Sequence, residues 1–415
     1  MKILLIDKFY YIRGGAETYC FNLANALRAA GHDVIFFSMK HPANLPCAQT
    51  EYFVSEVAFD RSAGVAECLK NLPRVLYNRE ARQKLTSLIN KEKPDIAHVN
   101  LIHRHLSVSV LDALWEAAIP IVWTVHDFIL QCPAYLMLRN GAPCSDCVTG
   151  TTWNCVRNRC IKHSLSKSLI AFAENAVFKW KGVSKKVDAF ICPTEFYKKM
   201  LLQGRYAPEK IYHINNPLAA DFTCYTGNLG VSYLYSGRLS REKGLFTLLH
   251  AMQKLPEVSC MIAGEGPLKD DLRAFICEKD LKNVRLIGKL SQPDLWTQVS
   301  RSRAVIVPSE WYENGSYAAM EAMGLGRPVI ASDMGGIPEH VEDGTTGLLF
   351  KAGDSDALVR AVRHMESMSD NALQLMGKAA LEKARTAFSS QTYAHTIIDL
   401  YKKILRAKHT GQAAR

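Results

Sequence analysis

The sequence of 415 residues contains no long hydrophobic run. Its apolar stretches, such as Pro120–Thr124 and Ala304–Val307, are strand-sized, far short of the ~20 residues that a membrane-spanning helix needs. No segment reads as crossing a bilayer. The opening residues Met1-Lys2-Ile3-Leu4-Leu5-Ile6-Asp7-Lys8 reach a charged pair after four apolar side chains, whereas a secretory leader carries a longer apolar stretch and a small-residue cleavage site. The expected location is therefore the cytoplasm. Thiols stay reduced there, so clustered cysteines read as metal ligands or buried apolar residues and not as a disulfide framework. No repeat of solenoid period and no low-complexity tract interrupts the chain. With 48% hydrophobic residues against 22% charged, a chain this long can bury the core of two or three domains.

The net charge is +11, and its position is informative. Residues 1–200 carry 25 basic against 17 acidic side chains, and residues 151–200 alone hold ten against three. The excess is thus one patch. It coincides with an amphipathic pattern in which Leu165, Leu169, Phe172, Ala173, Ala176, Val177 and Trp180 recur near a 3.6-residue period, flanked by Lys162, Lys167, Lys179 and Lys181. Such a helix can lie on an anionic membrane, each basic side chain near the surface contributing ~1 kcal/mol. A core-packed helix with a solvated basic face is the alternative.

Five of the twelve cysteines, Cys132, Cys144, Cys147, Cys155 and Cys160, fall within residues 132–160. Cys144-x-x-Cys147 has zinc-site spacing, and Cys155 and Cys160 complete a Cys₄ set with Cys132 or His163 in reserve. The expectation is a structural zinc at Cys144, Cys147, Cys155 and Cys160, against reduced thiols in a loop.

Strand-sized apolar runs alternate with helix-like periods almost throughout, the pattern of α/β folds with parallel sheets. Strands are expected near 2–6, 33–38, 95–99, 120–125, 188–192 and 210–214, then near 231–235, 258–263, 284–287, 303–307, 328–331 and 347–350. Helices are expected at Ala16–Ala30 and Leu106–Ala117 in the first series, and near 244–254, 267–279 and 315–324 in the second. Asn215-Asn216-Pro217 and the stretch with Gly227 and Gly230 read as a linker near 217–230. After residue 353 the pattern is helical. Ligands in such sheets bind beyond the C-terminal strand ends, which directs attention to the loops leaving them.

The first such loop reads Arg13-Gly14-Gly15-Ala16-Glu17 ahead of a helix, where paired glycines admit a phosphate or sugar and the helix N-terminus favours an anion. In the second series Ser236-Gly237-Arg238-Leu239-Ser240-Arg241-Glu242-Lys243-Gly244 offers Arg238 as a forked donor and Lys243 as a point charge, suited to a diphosphate. Glu313 and Glu321, eight residues apart, are expected to face one cleft, the first at a helix start and the second two turns along. No nucleophile is evident.

In this order, Gly14-Gly15, His126-Asp127 after a strand, Gly237-Arg238-Leu239…Lys243-Gly244, Ala263-Gly264-Glu265-Gly266-Pro267 and Glu313-x7-Glu321-Ala322-Met323…Gly326-x-Pro328-Val329 resemble the motifs of retaining family 4 glycosyltransferases. The resemblance spans essentially the whole chain. It implies the GT-B architecture: two Rossmann-like domains facing across a cleft, with the C-terminal helix crossing back to the first. The corresponding boundaries are 1–217 for an acceptor-side domain with a Cys-rich and basic insertion at 128–187, 218–388 for the nucleotide-sugar domain, and 389–415 for the returning helix. By the same resemblance Arg238 and Lys243 clamp the donor diphosphate, and Glu321 binds the ribose hydroxyls. Glu313 faces the transferred sugar, Gly15 approaches the donor phosphates, and His126 stands near the reaction centre. After Glu313 the residues are Asn314-Gly315-Ser316-Tyr317 and not Gly-Phe-Gly-aliphatic, yet Asn314, Gly315 and Ser316 keep small groups where backbone N–H groups can meet phosphate.

The implied activity is retaining transfer from a nucleotide-diphosphate sugar to a saccharide acceptor, lipid-linked, in bacterial surface-polysaccharide assembly. No catalytic metal is expected. An anionic membrane surface is the expected partner of residues 157–186. A nucleotide-sugar epimerase or phosphorylase on the same architecture is the alternative enzyme. A nucleic-acid-binding protein with a zinc module is the alternative of another class; confinement of the basic excess to one segment, without aromatic reading surfaces, argues against it.

Overall fold

The computed structural model describes residues 1–56, 65–219 and 229–411. Gly227 and most of the linker stretch lie outside the described residues. Two six-stranded sheets form. The first contains β1 (Lys2–Ile6), β2 (Asp33–Phe37), β3 (Ile96–Val99), β4 (Ile121–Thr124), β5 (Ala189–Cys192) and β6 (Ile211–His213), in the order β2-β1-β3-β4-β5-β6. The second contains β7 (Tyr233–Ser236), β8 (Cys260–Ala263), β9 (Val284–Gly288), β10 (Val305–Val307), β11 (Val329–Ser332) and β12 (Gly347–Phe350), in the order β9-β8-β7-β10-β11-β12. Every pairing in both is parallel.

Parallel pairing explains why these strands read as continuous apolar runs. Helical crossovers cover both sheet faces, so Ile3, Leu4, Leu5 and Ile6 are all fully buried. Strand order reverses between β1 and β3 in the first sheet and between β7 and β10 in the second, and each reversal opens a crevice at the C-terminal strand ends.

The chain divides into two compact units, one of Met1–Arg139, Cys144–Pro217 and Ser390–Arg415, the other of Asn140–Pro143 and Leu218–Ser389. The core of the second is built on Tyr233, Leu248, Ile262, Ile306, Ile330 and Leu358 on one sheet face, and on Leu234, Val305, Met320 and Val329 on the other. In the first unit the C-terminal helix Ser390–His409 packs on the helix Gly15–Ala29. A buried hydrogen-bond chain fastens it: Tyr401 to His98, His98 to Thr124, Thr124 to Tyr19, and Tyr19 to Tyr393. Burial lowers the His98 pKa to about 3, so its ring joins this chain uncharged.

The helix expected near 315–324 spans Tyr317–Gly324. Gly315 has φ 124° and Ser316 is the N-cap, its Oγ accepting from the Ala319 N–H at 3.3 Å. Glu313 therefore lies ahead of the helix and not at its start, while Glu321 is within it. The helix Leu165–Trp180 also forms, capped by Ser164, but turns its polar side inward: Ser168, Ala171, Glu174, Asn175 and Phe178 are buried. Leu165, Leu169 and Trp180 of the apolar stripe are exposed, so the core-packed reading of this helix does not have that orientation.

Candidate active site

In the second unit the loop after β7 and the segment after β10 converge at the strand-order reversal. Gly244, with φ 68°, makes the approach feasible, since a Cβ there would stand 1.8 Å from the Pro308 carbonyl oxygen. Immediately before it, Lys243 Nζ lies 2.6 Å from Glu313 Oε1 and 5.1 Å from the centre of the Trp311 ring. Ser309 Oγ donates to the same carboxylate oxygen at 2.6 Å. Gly335 packs against the Glu313 backbone, where a Cβ would come within 2.6 Å of its nitrogen, and the Gly336 N–H donates to the Glu313 carbonyl at 2.8 Å. The position of Glu313 is thus fixed from both main chain and side chain.

Burial alone would raise the pKa of Glu313. The Lys243 charge and hydrogen bond, with a hydrogen bond from Ser309 and the nearby Trp311 N–H, outweigh burial and hold it below the ordinary carboxylate value. Arg238 stands exposed in the same loop, with the Tyr235 hydroxyl donating to its carbonyl at 2.9 Å. Glu321 is buried on the Tyr317–Gly324 helix, and burial raises its pKa to about 7 against hydrogen bonds from Trp296 and Gln292; Gln292 Nε2 donates to Oε1 at 2.8 Å. Lys243 and Glu313 are therefore brought together, and Glu321 is supported by the helix Gln292–Ser300. Asn314 and Ser316 are buried beside them, with Gly315 between.

In the first unit Gly14 and Gly15 are exposed at the start of the helix Gly15–Ala29, with Gly14 as N-cap. Glu17, at the third helical position, accepts from the Gly14 N–H, the reaching-back half of a capping box. His126 follows β4. Burial lowers its pKa to about 3, so the ring is neutral. Nε2, 2.9 Å from Asn100 Oδ1, is assigned as the donor by that carbonyl partner, which leaves Nδ1 as an acceptor for a hydroxyl. The Tyr19 ring meets the imidazole edge-on at 4.6 Å.

Asp127, the residue after His126, belongs to a buried charged group that sequence reading missed. Lys8 Nζ is 3.0 Å from His103 Nε2, and that nitrogen is 3.5 Å from Asp127 Oδ2. Burial lowers the Lys8 pKa and drives that of His103 well down; it raises Asp127 to about 6 against the Lys8 charge. The signal available in sequence was the Asp7-Lys8 pair directly after an apolar strand, a position where charge must be compensated.

The cysteine expectation requires correction. Among the described residues no group of three or more His, Cys, Asp or Glu side chains is placed to hold a metal ion. Cys132, Cys144, Cys147 and Cys160 line one small cavity, with Cys155 close to Cys160, but the four expected ligands form no such group. Cys147 pairs with Cys132, Cys155 pairs with Cys160, and Cys144 lies against Asp146. Backbone N–H groups of Ala134 and Met137 bond the Cys132 sulfur. His163 is exposed.

Two strand-order reversals, each with charged and small residues at the strand ends, describe an α/β protein with ligand crevices at the C-terminal strand ends. The family model for Glycosyltransferase Family 4 matches residues 13–222, and that for Glycosyl transferases group 1 matches residues 231–383. The glycogen synthase of Mycobacterium tuberculosis (strain H37Rv) is 32% identical over 434 aligned positions, covering 99% of this chain and 97% of that protein. Among solved structures, Anabaena HepE in complex with UDP and glucose is similar with a TM-score of 0.69 and 18% identity, over 97% of this chain and 100% of that one. The lipopolysaccharide outer core galactosyltransferase WaaB, in its apo form, is similar with a TM-score of 0.62 and 16% identity, over 97% and 100%. The chain belongs to glycosyltransferase family 4. Its fold is GT-B, and its activity is glycosyl transfer.

Proposed function

We propose that the protein transfers a sugar from a nucleoside-diphosphate sugar to a saccharide acceptor with retention of anomeric configuration. The observation that carries this reading is the Lys243–Glu313 pair at the strand-order reversal of the second unit, with Arg238 exposed in the same loop. Breaking the bond between the anomeric carbon and the diphosphate develops positive charge on the sugar and negative charge on the leaving oxygen. Lys243 and Arg238 supply fixed positive charge for that oxygen, the preorganised electrostatic help that contributes most in such sites. Glu313, held ionised by Lys243, accepts from hydroxyls of the transferred sugar, and Glu321 accepts from the ribose hydroxyls. Asn314, Gly315 and Ser316 offer main-chain donors to phosphate, as Gly14 and Gly15 do in the first unit.

The new bond forms from the acceptor hydroxyl to the anomeric carbon on the face the diphosphate leaves, and the hydroxyl proton passes to the departing phosphate oxygen. His126, neutral with a free Nδ1, accepts from a sugar hydroxyl. The cationic pair does what a divalent ion would do at the diphosphate, so turnover is expected to survive chelators. The test is a donor screen by nucleotide release, followed by NMR assignment of the product anomer. An inverted product would overturn retention, and nucleotide release that no acceptor accelerates would overturn transfer.

For the acceptor we favour a lipid-linked saccharide of bacterial surface-polysaccharide assembly, met at the inner face of the cytoplasmic membrane. The fold shared with a lipopolysaccharide galactosyltransferase supports it. Similarity to glycogen synthase along the full length favours a second reading, a soluble glucan acceptor. Running the same assay with lipid-linked intermediates and with glucan oligosaccharides decides between them.

A further inference from the structure

The helix Leu165–Trp180 is inside out for a surface helix, which normally buries its apolar stripe and exposes its polar one. Its inward residues are held by hydrogen bonds. Glu174 accepts from the Arg104 N–H at 2.5 Å, Asn175 Nδ2 donates to the Ile129 carbonyl at 2.9 Å, and Ser168 Oγ accepts from the Ile161 N–H at 3.0 Å. With that side fixed, residues 165, 169, 172, 176 and 180 form one row on the other, at helical spacing. Leu165 is 55% exposed, Leu169 47% and Trp180 78%. Trp153, 48% exposed, extends the row by packing edge-on against Phe172 at 5.1 Å.

The exposed charge of residues 157–186, which carry this row, has one sign. Glu174 is the only acidic residue from 157 to 186, and it is buried. Arg157, Arg159, Lys162, Lys179 and Lys185 are exposed in the same segment. At the C-terminal end of the row a groove of about 700 Å³ is lined by the apolar Leu76, Val177 and Trp180 and by Arg79, Lys181 and the Arg74–Glu80 ion pair. Apolar walls with cations in excess of the one carboxylate suit a lipid chain below an anionic headgroup.

We infer that this face docks on an anionic phospholipid surface, the Leu165–Trp180 row entering the headgroup boundary and the basic side chains lying among the phosphates. The inference deepens the reading of a membrane-presented acceptor and assigns the contact to particular side chains; its test, vesicle binding, does not depend on transfer. The outward row, rather than the basic flank alone, is the element that distinguishes lipid from a soluble anionic partner.

The full-length protein should co-sediment with phosphatidylglycerol vesicles and do so at least about tenfold less with phosphatidylcholine vesicles. Leu169→Glu combined with Trp180→Glu changes two exposed positions, so the melting temperature should hold while bound fraction falls about tenfold or more. Donor-dependent nucleotide release in the absence of vesicles should match the native protein. Brominated phosphatidylglycerol should quench tryptophan emission in the native protein and quench less in Trp180→Phe. Failure of the native protein to sediment with phosphatidylglycerol, or sedimentation of the double variant equal to the native, would overturn the assignment. So would a native dimer that the double variant converts to monomer, since the face would then belong to a second copy. Loss of nucleotide release with vesicle binding intact would count against the glycosyltransfer reading and leave the surface assignment standing.

Discussion

Lys243 couples stability to chemistry because its partner Glu313 is nearly buried while Lys243 itself keeps a side-chain exposure of 24%. Lys243→Ala should lower turnover at least about tenfold, the loss of one charge-assisted contact to the leaving diphosphate. It should also cost stability between the ~1 kcal/mol of an exposed pair and the ~3–5 kcal/mol of a fully buried one. Adding Glu313→Gln removes the stranded carboxylate, so the double variant should regain melting temperature without regaining turnover. Calorimetry and steady-state kinetics on both variants separate the two contributions; near-normal kinetics in Lys243→Ala would remove it from the site. Glu321 carries a pH signature. Its pKa near 7 in the free protein means that the carboxylate, the better acceptor for ribose hydroxyls, gains population as pH rises. Nucleotide affinity should therefore tighten from about pH 6 to about pH 8 by up to about tenfold, while Glu321→Gln binds more weakly and lacks this component. Titration calorimetry across that range measures both. The residue types at these positions were legible in the sequence, but their pairing was not. Lys243 and Glu313 are 70 residues apart and meet because β10 lies beside β7, and the Gln292 and Trp296 contacts to Glu321 come from a helix with no chemical motif of its own.

At the scale of elements, strands were the most legible feature, because burial on both faces of a parallel sheet leaves uninterrupted apolar runs such as Ile3–Ile6. The period of the Leu165–Trp180 helix was equally plain, yet its orientation was not, since that depends on hydrogen bonds to Arg104 and Ile129, 70 and 46 residues away. Cysteine spacing was a poor guide for a related reason: Cys144-x-x-Cys147 has ligand spacing, but Cys144 lies against Asp146 and Cys147 pairs with Cys132, a residue outside the expected set of four. The inward face of this helix makes a stability prediction. Burial raises Glu174 to about 7, above its unfolded value. The folded protein therefore binds a proton there that the unfolded chain has released, and stability from this group is full below about pH 4 and lost as pH rises through about 7. Glu174→Gln keeps an acceptor for the Arg104 N–H and removes the titration. Its unfolding free energy should stay near the native value at about pH 5 and exceed it at about pH 8, by a margin on the order of 3 kcal/mol read as a higher melting temperature. A constant difference between the two proteins across that range would show that Glu174 does not titrate in folding.

For the molecule as a whole, the first unit is assembled from both ends of the chain, with the second unit spliced between Pro217 and Ser390. Sequence periodicity marked the chain after residue 353 as helical and the family resemblance implied that its last helix returns to the first domain; the contacts that hold it there, Tyr401–His98 and Tyr393–Tyr19, come from the structure. The helix Ser390–His409 buries Tyr393, Ile397, Ile398, Leu400, Tyr401 and Ile404. At ~1.5–3 kcal/mol for each large apolar side chain, that burial is on the order of 10 kcal/mol, comparable to the ~5–15 kcal/mol by which a domain is stable. A chain ending at Ser389 should therefore lose the cooperative unfolding transition of the first unit. It should retain that of the second, whose core draws on residues from Leu218 to Phe388, and with it nucleotide affinity at Lys243, Glu313 and Glu321. A gentler variant asks the same question without truncation. Tyr401→Phe leaves His98 Nδ1 buried without its partner, at ~1–3 kcal/mol, and should lower only the melting step that nucleotide does not shift. Calorimetry with and without nucleotide resolves the two steps, because ligand bound to one unit raises that unit's transition. If truncation left both steps in place, the last helix would be an accessory to the first unit and the hydrogen-bond chain through His98 a local feature; if it removed both, the two units would share one cooperative transition.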